Sequence, residues 1–353
     1  MTKQEEKQTK EEERLEQMKW SIQGLWNQIG EGSVYPPKER DYISPSDLGK
    51  DYWGRYQKMT GQTATNPYDQ RTLRIFQAGN EFHNLVGNIF KALGIHVNTQ
   101  DKPDEHGRNQ WSIVPETEDC LKTLGKYDNL VGGKPDLEQA EKQCKAMEFS
   151  EFATEKTLAI GKHILETNPE GLKPLIYEIK SINSMAFWNK KDYLSDAYPH
   201  HSLQLFNYLK ANSIEEGRVL YVSKDDLMLA EFPVYLKDPK LEEIFNKDRK
   251  EMSYFIKNKI EPPKPEYIVQ KDDAKIRFQY KKVKYALKGR YDYNWEVMRS
   301  TFFTKMTGFE TVDEWKESCK GLLKDKNDEI KDKFKEGLDK KEAMKLDGGI
   351  ASA

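Results

Sequence analysis

Glu178 and Lys180 stand two residues apart, directly after the apolar run Leu175-Ile176-Tyr177. In an extended strand, residues i and i+2 share a face, so a carboxylate and an ammonium emerge side by side. Asp136 closes a second extended segment, 130–138, behind Gly132 and Gly133. If the two strands are neighbours, Asp136, Glu178 and the Ile179 carbonyl can converge on one hard cation, since Mg²⁺ and Mn²⁺ take oxygen ligands. Lys180 would then reach a water rather than the cation. The plainer alternative is a surface strand with one salt bridge.

Two helices add polar groups. His201, Gln204, Leu205 and Tyr208 recur at i, i+3, i+4 and i+7 and so form one face. A glutamine and a tyrosine one turn apart can hold a phosphate or an ordered water, or merely cap a sheet edge. His83 lies in an apolar stripe with Phe76, Gly79, Val86 and Phe90, widened by Phe82, Leu85, Ile89 and Leu93. A satisfied core histidine is its alternative reading.

The elements that must position these groups are legible as follows. Ser44-Pro45-Ser46-Asp47 resembles a capping box with proline in the first helical position, which predicts a helix from there to about 58. A second helix covers about 71–93 and stops at Gly94. Strands are expected at 130–138, 174–180, 218–224 and 229–236, the last two as a hairpin around Lys224-Asp225-Asp226. A charged helical insertion separates the first two strands, and a helix over 199–211 separates the second and third. Another helix begins at Pro239 behind Asp238 and runs to about 260, where Pro262, Pro263 and Pro265 break it. From Arg290 onward the chain reads helical, with Trp295, Met298 and Phe302 as a stripe. Strands alternating with helices argue for an α/β core around a mixed sheet.

The ordered set His83, Gly133-Lys134-Pro135-Asp136, Glu178-Ile179-Lys180 and Gln204-Leu205-Phe206-Asn207-Tyr208 resembles the PD-(D/E)XK nuclease superfamily. It is most similar to the exonuclease branch that includes Cas4 proteins and the nuclease domains of RecB and AddB. The opening Tyr42-Ile43-Ser44-Pro45-Ser46-Asp47-Leu48 and the strand Leu220-Tyr221-Val222-Ser223-Lys224 are similar too, so the likeness spans roughly 42–236. The resemblance implies a restriction-endonuclease-like α/β core, a central mixed β-sheet flanked by helices, with helical N- and C-terminal extensions. It implies Mg²⁺ or Mn²⁺ held by His83, Asp136, Glu178 and the Ile179 carbonyl, with Asp136, Glu178, Lys180, Gln204 and Tyr208 as the catalytic set. The expected activity is metal-dependent DNA exonuclease action on single-stranded or end-containing DNA, in recombination, repair or phage DNA processing. A structure-specific or restriction-like endonuclease, and a non-catalytic DNA-binding or assembly protein, are the alternatives.

The chain departs from that branch in its cysteines. Many members hold an iron-sulfur cluster, which needs about four ligands. Only Cys120, Cys144 and Cys319 occur here, none of them in 48–56 or 257–300, so no iron-sulfur cluster is expected. Clasping the two ends of the domain then falls to packing of Trp53 and Tyr56 against Tyr291, Tyr293 and Trp295. No Walker A sequence occurs, so no helicase is expected within these 353 residues.

Composition sets the remaining bounds. With 37% hydrophobic, 33% charged and 11% aromatic residues, the chain is neither disordered nor membrane-spanning, and three cysteines fit a reducing compartment. The opening MTKQEEKQTKEEERLEQ has no apolar core of a secretory signal, and a cytoplasmic location is expected. The expected organisation is a polar N-terminal extension over 1–41, a nuclease core over 42–260 with its insertion at about 139–166, and a basic linker with a helical region over 261–353 packing on the core. A homo-oligomer or a recombination-protein partner is open. Net charge is −2, yet 257–290 holds 11 basic and 4 acidic residues. There Phe278, Tyr280 and Tyr285 interleave with Lys281, Lys282 and Lys284, the mixture that single-strand grooves use. On that reading the lysines face DNA. A half-buried strand whose aromatics fill a core would look similar, and the DNA path would then run over the Lys190-Lys191 loop.

Overall fold

The computed structural model describes residues 22–32, 36–97, 112–188 and 196–350. Expectations for residues 1–20 and for the Lys190-Lys191 loop lie outside these. The helices in chain order are α1 (Ile22–Gly32), α2 (Tyr52–Met59), α3 (Gln70–Ala92), α4 (Leu137–Ala146), α5 (Glu151–Thr167), α6 (Ser184–Trp188), α7 (Pro199–Asn212), α8 (Pro239–Lys257), α9 (Trp295–Met298), α10 (Phe303–Thr307) and α11 (Val312–Ile350). The strands are β1 (Ser112–Val114), β2 (Thr123–Gly125), β3 (Asn129–Gly133), β4 (Leu172–Ile182), β5 (Glu216–Ser223), β6 (Leu229–Tyr235), β7 (Ile268–Tyr280) and β8 (Val283–Tyr293). Among the described residues, no helix is long and apolar enough to cross a membrane.

The architecture is mixed α/β and divides into two compact units. One comprises Met1–Lys50, Lys58–Gln62 and Tyr68–Glu261; the other comprises Asp51–Gln57, Thr63–Pro67 and Pro262–Ala353. The first unit is built on a four-stranded sheet of order β3-β4-β5-β6. β3 and β4 are antiparallel, β4 and β5 parallel, and β5 and β6 antiparallel. The register sets Glu178 beside Val219, Ile179 beside Leu220 and Lys180 beside Tyr221.

Side-chain alternation then divides the sheet. Ile179, Leu220 and Val222 pack with Val86, Phe82 and Phe90 of α3. Leu205 and Leu209 of α7 close on Gly217, so α7 covers the face that carries Glu178 and Lys180. α3 starts where the Asp69 carboxylate accepts the Thr72 N–H at 2.7 Å. Its apolar stripe is narrower than expected, because Phe76, Leu85 and Ile89 stay exposed.

The helix expected over 44–58 is instead one 3₁₀ turn, Pro45–Asp47, followed by the separate α2. Ser44 makes no side-chain cap, and Leu48 swings extended, at ψ 138°. The Asp47 carboxylate pairs with Lys58 at 3.0 Å rather than closing a capping box. The insertion is two helices, α4 and α5. The segment after Arg290 begins as strand, and α9 and α10 split the expected Trp295–Phe302 stripe.

A buried cation organises the approach to β2. The Arg249 side chain on α8 donates to the Pro115 carbonyl at 2.9 Å and the Leu121 carbonyl at 2.7 Å. Ser253, one turn on, accepts the Leu121 N–H at 2.7 Å. These bonds hold segment 115–121 while the chain enters β2 and turns toward β3.

In the second unit, Trp53, Ile268, Val297, Phe302, Phe303, Met306, Trp315 and Cys319 form the core, with Tyr291 and Tyr293 packed against it. Trp295, expected in the same clasp, remains 45% exposed. β7 and β8 form a hairpin through Lys281 and Lys282, both at positive φ, and α11 lies on one face of it.

Arg249→Met keeps the bulk, strands the buried Leu121 carbonyl and frees the exposed Pro115 residue. It is expected to lower unfolding free energy by about 1–3 kcal/mol, the cost of one orphaned buried acceptor. Urea denaturation measures this, and a loss under about 1 kcal/mol would contradict the holding role.

Candidate active site

The turn from β2 to β3 reads Gly125-Lys126-Tyr127-Asp128. A Cβ on Gly125 would meet Pro45 Cδ at 2.7 Å and the Tyr208 hydroxyl at 3.3 Å. Only glycine lets the turn pass this close to Pro45, with the Tyr208 hydroxyl of α7 beside it. Asp128 follows immediately. Since Asn129 pairs with Tyr177, antiparallel register sets Asp128 opposite Glu178.

Asp128 is the hub. Its Oδ2 accepts the Ile179 N–H at 2.6 Å, and its Oδ1 lies 3.2 Å from His83 Nδ1 on α3. Glu178 is only 1% exposed; its Oε1 is 2.5 Å from Lys180 Nζ, while Oε2 is buried with no hydrogen-bond partner among the described residues. On α7, Gln204 Nε2 donates to the Tyr208 hydroxyl at 3.5 Å, and both side chains are buried. Beside Lys180, the Tyr221 hydroxyl accepts the Tyr198 N–H at 2.9 Å and pairs with His201 Nδ1 at 2.7 Å.

The electrostatics follow from burying this many charges. Burial, then the Asp128 charge, push the Glu178 carboxyl up to about 7 against the opposing pull of Lys180 and His83. Burial pulls His83 down, but its bond to Asp128 and the Asp128 and Glu178 charges outweigh that and leave it raised. Burial likewise pulls Lys180 down, and Glu178 and Asp128 more than reverse it. Burial and the Glu178 charge raise the Tyr208 phenol, which stays a neutral donor. His201 is held low by burial and by the charges of His200, Lys180 and Lys50. A neutral His201 can therefore accept the Tyr221 proton at Nδ1.

Of the residues expected from sequence, His83, Glu178, Lys180, Gln204 and Tyr208 gather here, with Ile179 joining through its backbone. Asp136 does not. It caps α4, its carboxylate accepting the Gln139 N–H at 3.0 Å, and it is exposed. Its backbone abuts Gly94, whose φ is +71° and whose Cβ would lie 2.5 Å from the Asp136 carbonyl oxygen. Gly94 is eleven residues beyond His83, roughly 16 Å along a helix.

Asp128, the aspartate that is present, was missed because Gly125-x-x-Asp128 and Gly133-x-x-Asp136 share one spacing. The distinguishing signal was local: Asp136 precedes Leu-Glu-Gln-Ala, so it reads as a helix cap.

The expected DNA grip is also rearranged. Phe278 and Tyr285 stack at 5.6 Å and both meet Phe334 of α11 edge-on at 6.0 Å. Tyr280 donates to Asp339, and Lys281 pairs with Asp339 at 2.9 Å and Glu342 at 2.7 Å. These four side chains face α11 and are not available to stack on or neutralise DNA as expected. Lys282 and Lys284 are exposed.

Among the described residues, no three histidine, cysteine, aspartate or glutamate side chains form a ready-made metal centre. The donor chemistry around Glu178 nonetheless fits a hard cation: an orphaned carboxylate oxygen, a second carboxylate and an imidazole.

No protein-family model and no curated protein matches the chain. A solved crystal structure, that of SSO0001, aligns at 15% identity over 68% of this chain and 89% of that one, with a TM-score of 0.37. That likeness is too low to assign a fold.

The raised Glu178 carboxyl has a stability consequence. The native state keeps a proton that the unfolded chain releases near 4.5, so this contribution is complete below about 4.5 and lost as pH rises through about 7. His83, also raised, acts in the same direction. His200 and His201, both lowered, act oppositely up to about 6.5 and are common to both proteins compared. Glu178→Gln should therefore gain stability over the wild type in chelator, with the difference growing from pH 4.5 to 7 and levelling above, to about 3 kcal/mol at most. A difference that is flat or shrinks with pH in denaturant titrations would contradict it.

Proposed function

We propose that the chain is a divalent-cation-dependent deoxyribonuclease with a PD-(D/E)XK-type, restriction-endonuclease-like core, acting as an exonuclease on single-stranded or end-containing DNA. The observation that carries the reading is the buried Glu178 carboxylate, with one oxygen on Lys180 and the other orphaned, opposite Asp128. The mixed sheet between α3 and α7 supports it, as does the gathering of His83, Gln204 and Tyr208 around that pair. Asp128 takes the part that the resemblance first suggested for Asp136.

Asp128, Glu178 and His83, with the Ile179 carbonyl, would hold Mg²⁺ or Mn²⁺, which when bound neutralises a non-bridging phosphate oxygen and lowers the pKa of a coordinated water. The chain's own groups do the rest. Lys180, cationic and partly shielded, orients the attacking water and offsets negative charge that grows on the phosphate in the transition state. Gln204 and the neutral Tyr208 hydroxyl supply donors for a phosphate oxygen. Because the Glu178 carboxyl and the His83 imidazole are both raised in the free protein, cation binding competes there with protons. By resemblance, the products carry 5′-phosphates.

Three variants separate the roles. Asp128→Ala is expected to lose cation binding and cleavage together. Asp136→Ala keeps both and loses about 1 kcal/mol of stability with the helix cap. Lys180→Ala keeps cation binding and loses roughly 10²–10⁴-fold in kcat. Calorimetric cation titration and a digestion time course on end-labelled linear DNA measure all three. Loss of cleavage in Asp136→Ala with full activity in Asp128→Ala would sink the assignment. A circular single strand is expected to survive; its cleavage would make the enzyme an endonuclease, and no cation-dependent digestion of any DNA would leave a binding protein.

A further inference from the structure

The β7–β8 hairpin has two faces of opposite character. Ile276, Phe278 and Tyr280 alternate with Lys275, Arg277 and Gln279, and on the partner strand Tyr285 and Leu287 alternate with Lys284, Ala286 and Lys288. The first set is covered: Ile276 is buried, Phe278 and Tyr285 are half-buried against Phe334, and Asn327 exchanges hydrogen bonds with the Tyr291 backbone. The second set is exposed throughout. From 274 to 291 the sequence has seven basic residues and no acid.

Pairing makes that face costly to the free protein. Lys275 lies directly opposite Lys288, and like charges in that position are destabilising. Lys281, on the turn, is neutralised by Asp339 and Glu342, and the α11 lysines Lys320, Lys331, Lys333 and Lys335 each pair with an acid of their own helix. By contrast, Lys275, Arg277, Lys282, Lys284, Lys288 and Arg290 have no ion pair with any described residue. Same-face residues along a strand are roughly 6.8 Å apart, so these cations form a two-row track about 20 Å long from Lys284 to Arg290. A rigid, unneutralised track of this kind suits a chain of regularly spaced anions.

We infer that the exposed face of the β7–β8 hairpin, through Lys275, Arg277, Lys284 and Lys288, binds the phosphate backbone of a nucleic acid. It rests on the nuclease reading only for the identity of the polyanion. The grip is through charge alone, because the aromatics point to α11; it is therefore independent of sequence and of unpaired bases.

The test is fluorescence anisotropy of a labelled single strand and of its duplex in chelator, at several salt concentrations. Replacing Lys275, Arg277, Lys284 and Lys288 by Gln together should weaken binding at least 10-fold at low salt. It should also flatten the slope of log affinity against log salt, by about 0.7 for each single-strand phosphate left without its cation, or roughly 2–3 in all. Lys320→Gln with Lys333→Gln, on α11, should change neither. Should circular dichroism show the fourfold variant unfolded, Lys284→Gln with Lys288→Gln should give about half the slope change. An unchanged slope in the folded variant, absence of wild-type binding at low salt, or loss of binding to phosphatidylserine vesicles with DNA binding intact would each overturn the inference. Hydrolysis of bis(4-nitrophenyl) phosphate with Mn²⁺, a diester too small to need the track, separates the two readings. The fourfold variant should retain that activity. If the wild type hydrolyses no diester while the slope still falls in the variant, the nuclease reading fails and this one stands.

Discussion

Placing the Glu178 carboxylate inside the sheet is the constraint on which the first unit depends. A bare carboxylate taken out of water costs several kcal/mol unless it is paired, and it gains a proton when pairing is incomplete. Both responses are present. Lys180 holds one oxygen, and the pKa pushed up to about 7 records what that single partner leaves uncompensated. Asp128 opposite adds a second negative charge, and the raised His83 is the counterweight. The cluster is thus two carboxylates, one ammonium and one imidazole whose protonation states depend on one another.

The surroundings read as devices for holding this cluster in place. β4 is flanked by a strand on either side, so its backbone is fixed, and alternation sends Ile179 to α3 while Glu178 and Lys180 face α7. Asp128 sits where β3 begins, tied by the Ile179 N–H, and the bare Gly125 lets Tyr208 come close to the same turn. Farther out, Arg249 and Ser253 anchor the segment that feeds β2. On the polar face of β5, Tyr221 stands beside Lys180, and the Tyr198 backbone and His201 orient its hydroxyl.

Much of this was legible because it is local. Period-two alternation after Leu175 and the 3–4 spacing on α7 each report one element's own geometry, and those elements appear with ends within a few residues. What failed was non-local. Two aspartates share one glycine spacing; the helix start behind Asp136 marks it as a cap, but that Asp128 faces Glu178 is decided by register between strands some forty residues apart. The same holds for the hairpin: Phe278 and Tyr285 could stack on a base or on a helix, and Phe334, nearly fifty residues downstream of Tyr285, decides it. The capping box at Ser44 failed for a related reason, since Lys58 draws Asp47 away from the backbone it would have capped.

The four-stranded sheet and the β7–β8 hairpin differ in how their strands meet. β7 and β8 join through two residues, so their pairing closes almost no loop. β3 and β4 meet only after an excursion of roughly forty residues through α4 and α5, which adds about 2–3 kcal/mol of closure entropy before any ladder bond forms. β4 must then await α7 before β5 can lie parallel to it. Across proteins, folding is fast where contacts are local and slow where they are distant in sequence. The exposed cations of the hairpin are thus assembled from neighbours in the chain, while the Glu178, Asp128 and His83 cluster exists only once strands and helices far apart in sequence have met.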